Sequence, residues 1–383
     1  MYHIIRVNII CAGLILLTSC YKQEPPTEQI RKVVRDTTLD TVKTAATDTL
    51  VPLTADTTIN SFARILAGLT VLPGHERHAQ EMQARMKRFA DGELVRMRTW
   101  ASSELTAEGS SDVVFYPFSG PDALNVLALY PNAKHYVMIA AEPAGSIPKL
   151  RALHHDSITT YLQSVVKATR LVYGVGYFIT DSMRKDIRQT IVDGAVPLIS
   201  LFVSQMGNTI LGYDRTKVQS NDSTNSSQVL HDLYFRKDSA SPVQRLTYIE
   251  ANLGNNVYMG RTPLPKNSAL RSWLAQLPRS NTFVKSASYL MHNPAFSFIR
   301  AYVLRHSLSI LQDDSGVPYA AFDSSWKFRF YGRYERPISQ FSWLYQEDLD
   351  SAIAQSSTVR PGLPFRYGYL FRRKGQNVMK AYR

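Results

Sequence analysis

Residues 112–145 read DVVFYPFSGPDALNVLALYPNAKHYVMIAAEPAG. Val113-Val114-Phe115-Tyr116 has the β-branched and aromatic make-up of a short buried strand. Ser119-Gly120-Pro121-Asp122 is a turn ending on a helix-capping side chain, and Ala123–Leu129 is the helix it starts. Pro131-Asn132 stops that helix, and His135–Ala141 is a second buried strand closing at Glu142-Pro143. A strand, tight turn, helix and strand within about 30 residues make a βαβ unit with a right-handed crossover between parallel strands. The expected fold is α/β and Rossmann-like: a mainly parallel sheet with flanking helices, where ligands sit at the carboxyl ends of the strands.

Outward from this unit the pattern continues in the same style. Residues 61–104 are expected to be helical, with Phe62, Ile65, Leu66 and Leu69 on one face, a break at Pro73-Gly74, and Met82, Met86, Phe89, Leu94 and Met97 beyond it. Downstream, helices are expected over Ile158–Tyr173, Thr180–Ile191, Val196–Met206, Ser268–Leu277 and Phe296–Leu304. Strands are expected over Thr209–Tyr213, Leu246–Leu253, Thr282–Leu290 and Leu308–Gln312, with an exposed loop at Gln219–Gln228. There is no self-similar period, so 61–383 reads as one α/β domain.

The candidate chemistry lies in the turns after strands. Asp313-Asp314 follows the strand ending at Gln312; two carboxylates there either hold a cation or divide into acid and base, while Asp-Asp-Ser-Gly is also an ordinary turn. Asp122 and Glu142 end successive strands of one parallel unit, so the carboxyl edge brings them to Asp313 if its strand runs the same way. Ser119 and Gly120 sit in the first of these turns as binding candidates. Glu142 has the spacing of a ribose-binding acid, but one glycine and a proline replace the Gly-x-Gly-x-x-Gly fingerprint, and no cofactor is expected. His75 and His78 have helical metal-ligand spacing without a third ligand, which reads as surface histidines. His154-His155-Asp156-Ser157 contains the side chains of a hydrolytic triad, but contiguous residues do not form one.

The formal charge is +13. Up to residue 60 the basic and acidic residues cancel, so the domain carries the excess. Basic and aromatic residues interleave most densely over Lys327–Arg336, echoed at Arg366–Arg373; Lys327, Arg329 and Arg333 read first as the wet face of an amphipathic strand, and second as a shallow anionic-ligand surface.

The N-terminus sets the compartment. Arg6, an apolar run from Ile9 to Leu17 and small residues before Cys20 form the three-part grammar of an export signal over 1–19, too short to span a bilayer. Leu17-Thr18-Ser19-Cys20 resembles the bacterial lipobox, which implies that Cys20 carries the lipid and that the membrane is a partner through it. Tyr21 is not the aspartate that retains such proteins in the inner membrane, so the expected address is the outer membrane of the cell envelope. Cys11 leaves with the signal, so no disulfide and no cysteine-built metal site is expected. Residues 20–60, rich in Thr and Asp, read as a disordered tether. Its triplets at Asp36, Asp40, Asp48 and Asp56 resemble a bacterial O-glycosylation sequon; Asp and Thr are also common in solvated linkers, and both readings stand.

Tyr116-Pro117-Phe118-Ser119-Gly120-Pro121-Asp122 and Leu311-Gln312-Asp313-Asp314-Ser315-Gly316 resemble an uncharacterised family of exported bacterial proteins, over most of the chain from about Phe62. That resemblance implies no activity. Two functions are open: an envelope lipoprotein binding a glycan, lipid or protein partner, with an anionic glycan or an envelope protein as the candidates and no nucleic acid expected, or an extracytoplasmic hydrolase using Asp122, Glu142, Asp313 and Asp314.

Overall fold

The computed structural model describes residues 57–105, 111–148, 150, 153–176, 194–220, 226–257, 262–357, 360–369 and 376–383. The export signal expected over 1–19, Cys20, most of the Asp-Thr triplets and the helix expected at Thr180–Ile191 lie outside them.

Nine described strands form one sheet: β1 (Val113–Pro117), β2 (His135–Ala140), β3 (Thr209–Gln219), β4 (Ser227–Arg236), β5 (Gln244–Glu250), β6 (Ser280–Val284), β7 (Ser307–Gln312), β8 (Lys327–Gly332) and β9 (Asn377–Tyr382). Their order is β3-β4-β5-β2-β1-β6-β7-β9-β8. The five central strands pair in parallel, whereas β3-β4, β4-β5, β7-β9 and β9-β8 are antiparallel. The expectation of a mainly parallel sheet is therefore corrected to a mixed one. Antiparallel neighbours need only a chain reversal, and no crossover helix advertises them in the sequence. Accordingly β4, whose first two residues were expected as loop, and β9 escaped the sequence reading.

Alternation along each strand divides the core. Val114 and Tyr116 of β1 and Tyr136 and Met138 of β2 face one cluster, while Val113, Phe115, Val137 and Ile139 face the other. The first face is covered by α1 (Thr57–Leu66), α2 (Glu76–Phe89), α3 (Val95–Glu104), α4 (Ala123–Leu129), α5 (His155–Val175) and α6 (Ala195–Gln205). A π-helical turn, Ala90–Leu94, joins α2 to α3. The second face is covered by α7 (Ala269–Ala275) and α8 (Ser297–His306). Beyond β8 lies α9 (Glu347–Gln355), whose Leu349 packs on Phe330 and Met379. Each fully buried side chain of the type of Phe115 or Leu124 stabilises the fold by about 1.5–3 kcal/mol, enough for this three-layer core to hold without disulfides.

Two boundaries moved for identifiable reasons. α1 starts at Thr57, inside the stretch expected as tether, because Ile59 is buried in the first core cluster and the Asn60 side chain accepts from the Ile210 amide at 3.0 Å. The strand expected over Thr282–Leu290 stops at Val284, because Ser286, Ser288 and Tyr289 have φ of 50, 53 and 54°, which no strand accommodates.

Candidate functional site

Because β1, β2, β5, β6 and β7 run the same way, the turns after them share one edge of the sheet. From β1 the chain passes to β2, goes out to the β3 edge and comes back through β4 to β5 beside β2, then crosses to place β6 on the other side of β1. That reversal between β1 and β6 is a topological switch point, the position at which open α/β sheets form crevices. Asp122 follows β1, and Lys285 follows β6, directly at this point.

Asp122 is the N-cap of α4, as Ser-Gly-Pro-Asp before an apolar helix dictates: its Oδ1 accepts from the Asn125 amide at 3.3 Å. The Asn125 side chain donates to both carboxylate oxygens at 2.8 and 3.0 Å, and the Tyr116 hydroxyl donates at 3.2 Å. Lys285 Nζ lies 3.1 Å from the same carboxylate, with both side chains only 2% exposed, and also donates to the Gly176 carbonyl. Burial, and then the Asp122 charge, hold the Tyr116 hydroxyl well above its ordinary range. This is a completed interior ion pair with neutral donors around it.

The turn after β7 is bound just as fully. Asp313 accepts from the Ser286 amide at 3.0 Å, the Ser315 amide at 3.2 Å and the Ser315 hydroxyl, while burial pushes its carboxyl up. Asp314 accepts from the Tyr289 hydroxyl and from Asn377 Nδ2 at 3.1 Å; burial, then the neighbouring Asp313 charge, push it up to about 7. Beside Asp314 is a water-sized cavity closed by Gln346, Phe330, Leu349, Asn377 and Met379. Tyr367 and Tyr369 cover the ends of β6 and β7: the Tyr367 hydroxyl is 2.8 and 3.1 Å from the Val284 and Leu311 carbonyls, and that of Tyr369 donates to the Ser286 carbonyl at 2.7 Å.

Strain gathers at the same place. Among the described residues, the non-glycine residues with positive φ are Phe118 at 60° with Ser286, Ser288 and Tyr289, all in the loops leaving β1 and β6. Each such conformation costs about 1–3 kcal/mol and persists only where its surroundings enforce it. Ser286 Oγ and His292 Nε2 are buried without a hydrogen-bond partner, and burial pushes His292 down to about 4.

The remaining candidates fall as follows. Ser119 donates its hydroxyl to the Gly120 carbonyl at 3.0 Å and its amide to Ile139, so it shapes the turn. Glu142 is buried at the end of β2, and its carbonyl accepts from the Tyr248 hydroxyl at 2.8 Å. The structure thus brings Asp122 and Asp313 together around Lys285 at the β1-β6 switch point, with Glu142 further along the same edge. Lys327, Arg329 and Arg333 do not form one patch. Since β8 and β7 both run antiparallel to β9, Arg333 lies past the carboxyl end of β8 and Lys327 at its amino end. Arg329, between them, is 3.8 Å from the Glu104 carboxylate and 5.3 Å from the centre of the Tyr382 ring.

His75 and His78 are not surface histidines. His78 Nε2 is 3.1–3.2 Å from the Leu66 and Ile65 carbonyls, closing the end of α1, and His75 meets Thr159 Oγ1 at 3.1 Å. His155, in the first turn of α5, packs its ring 4.6 Å from that of His75, and no metal-ligating group of three exists among the described residues. Lys285, Ser286, Tyr289 and His292 were hidden by reading Thr282–Leu290 as one strand. A charged residue next to the apolar Phe283-Val284, followed by Ser-Ala-Ser, was the available signal.

Compared with protein-family models, curated proteins and solved structures, the chain matches none.

Proposed function

We propose that this chain is a lipid-anchored protein of the bacterial cell envelope, held through Cys20 by way of the residue 20–56 segment, whose domain binds an anionic glycan, lipid or protein partner without catalysis. One observation carries the choice of binder over hydrolase: the carboxylates at the carboxyl edge are used internally. Asp122 is taken by Lys285, Asn125 and Tyr116, Asp313 by Ser286 and Ser315, and Asp314 by Tyr289 and Asn377. A general acid or base has to reach the proton it moves, and these are buried and fully bonded. The excess of +13 supports an anionic partner. The parallel centre with its switch point between β1 and β6 supports a Rossmann-like description of that part of the sheet.

The hydrolase reading keeps one favourable observation, the Asp314 carboxyl poised at about 7 close to His292, whose Nε2 is buried with no hydrogen-bond partner among the described residues. The two are separated by assaying membranes containing the full chain against ester, glycoside and phosphoester substrates. The binder reading expects no turnover that Asp313→Asn removes; turnover lost in that variant with folding intact establishes the hydrolase. For the anchor, mass spectrometry of the membrane fraction should find an acylated Cys20, and Cys20→Ala should accumulate unprocessed or soluble. A mature protein starting at an unmodified Tyr21 refutes it.

A further inference from the structure

We propose that the amino edge of the sheet carries a site for phosphate-bearing ligands, formed by Arg279, Arg305 and Arg383 where α8 runs into β7. The site gives a location and a chemistry to the anionic partner proposed above, and rests on that reading.

Three segments far apart in sequence converge here. Arg279 precedes β6, Arg305 is in the last turn of α8, and Arg383 follows β9. Arg279 Nη2 and Arg383 Nε donate to the same Ser307 carbonyl, at 3.3 and 3.2 Å. Two guanidinium groups are thereby held side by side. Arg383 also donates through Nη2 to the Leu304 and Arg305 carbonyls at 2.9 and 2.7 Å, and its guanidinium is 4.6 Å from the centre of the Trp326 ring, so its plane is fixed. His306 stacks on Tyr302 at 4.4 Å beside them. Exposed Lys327 begins β8, antiparallel to β9 with its residue opposite Tyr382.

Part of this arrangement has a structural cause. Carbonyls at the end of a helix attract cations, and the macrodipole presents about half a negative charge there. That accounts for one guanidinium, not for three and a lysine. Among the described residues, none of Arg279, Arg305, Arg383 and Lys327 has a carboxylate within ion-pairing distance. The acid that acts on Arg383, Asp323, is already bonded by the Ser325 amide at 2.9 Å and by the Ser325 hydroxyl. Mutual repulsion is visible at His306, held below its ordinary range by burial and by Arg305, Arg279 and Arg383.

What is left over is donor capacity pointing outward. Each guanidinium has five N–H donors in a planar fork. Arg383 bonds through Nε and Nη2, Arg279 through Nη2, and Arg305 makes no side-chain hydrogen bond among the described residues. Arg279 and Arg305 each keep a fork that can give a tetrahedral oxyanion two parallel N–H bonds, and Arg383, whose Nε and Nη2 are taken, adds a single N–H from Nη1. A phosphate monoester or pyrophosphate meets that requirement whether it is part of a lipid headgroup or a soluble molecule.

The test uses the full chain with vesicles of phosphatidylcholine alone, with added phosphatidic acid, and with added oleate at matched surface charge. Phosphatidylcholine gives the baseline set by the N-terminal segment. Phosphatidic acid should raise binding above both others, and the gain should fall about fivefold for each arginine replaced. Arg305→Gln is the decisive variant, since it removes no hydrogen bond and leaves the fold intact; Arg383→Lys should retain part of the gain. Inorganic pyrophosphate should displace the gain: displacement at pyrophosphate concentrations below that of the phosphatidic acid identifies a soluble ligand as the source, displacement only at higher ones identifies the lipid, and a gain that pyrophosphate does not displace overturns the site. Equal gains with oleate and phosphatidic acid, or an unchanged gain in Arg305→Gln, overturn it. Because these vesicles do not depend on acylation, an unmodified Cys20 in cells would sink the anchor reading without touching this result.

Discussion

Replacing Lys285 by Met removes one charge from the interior pair at the switch point while keeping most of the side-chain volume. Asp122 would keep its bonds from Asn125 and Tyr116, and the Gly176 carbonyl would keep Asn125 Nδ2 at 3.0 Å. The carboxylate, 2% exposed, would nonetheless stay charged with no cation beside it. Breaking a buried pair in this way costs about 3–5 kcal/mol, and the surviving neutral donors place the expected loss near 3 kcal/mol. With a guanidinium dependence of roughly 5 kcal/mol per molar, the unfolding midpoint should fall by about 0.6 M. Asp122→Asn should lose a similar amount, since Asn caps α4 nearly as well as Asp and the stranded ammonium dominates. The double variant has neither charge of this pair left, and its loss should be about 2–3 kcal/mol smaller than the sum of the two singles. Far-UV circular dichroism and tryptophan fluorescence must give coincident transitions for the numbers to hold. A midpoint for Lys285→Met within 0.1 M of the native one, or strictly additive losses, would refute the interior pairing of these residues.

Two further outcomes follow from the carboxyl edge. The Asp314 carboxyl stands at about 7 in the fold against roughly 3.9 in the unfolded chain, so the native state binds the extra proton in between. Stability should therefore fall as pH rises from about 4 to 7, by at most about 4 kcal/mol, and Asp314→Asn should flatten that fall. Guanidinium midpoints at pH 4.5 and 8 check it; a native protein more stable at pH 8, with the variant showing the same trend, contradicts it. Gly368 has φ of +67° and the position of an added Cβ is 2.3 Å from Asp313 Oδ2, so Gly368→Ala should cost about 1–3 kcal/mol, read as a lowered thermal midpoint. An unchanged midpoint would mean that Gly368 does not press on Asp313.

Much of the local architecture was legible because its causes are local. The βαβ unit was marked by β-branched strands, a capping Asp122 and a Pro-Asn stop within one short window, and α4 spans the predicted Ala123–Leu129. Pro73-Gly74 broke the helical segment where α1 and α2 separate. Asp122, Glu142 and Asp313 were expected on one edge from the direction of parallel strands, and they lie there. Their environment was not legible. Lys285 reaches Asp122 across 163 positions, and Tyr367 reaches Leu311 across 56.

By itself, then, the sequence determined what depends on neighbours along the chain: which segments are helix or strand, where many of them stop, and which side chains cap them. Tertiary structure alone decided that β4 and β9 close both sides of the parallel centre in antiparallel fashion, that the carboxylates are neutralised or bonded within the fold, and that Arg279 and Arg383 meet on the Ser307 carbonyl. The reason is physical. Periodicity and capping are written within a turn or two of helix or strand, whereas strand partners and interior charge pairs are selected by the total free energy of packing, to which residues distant in sequence contribute together.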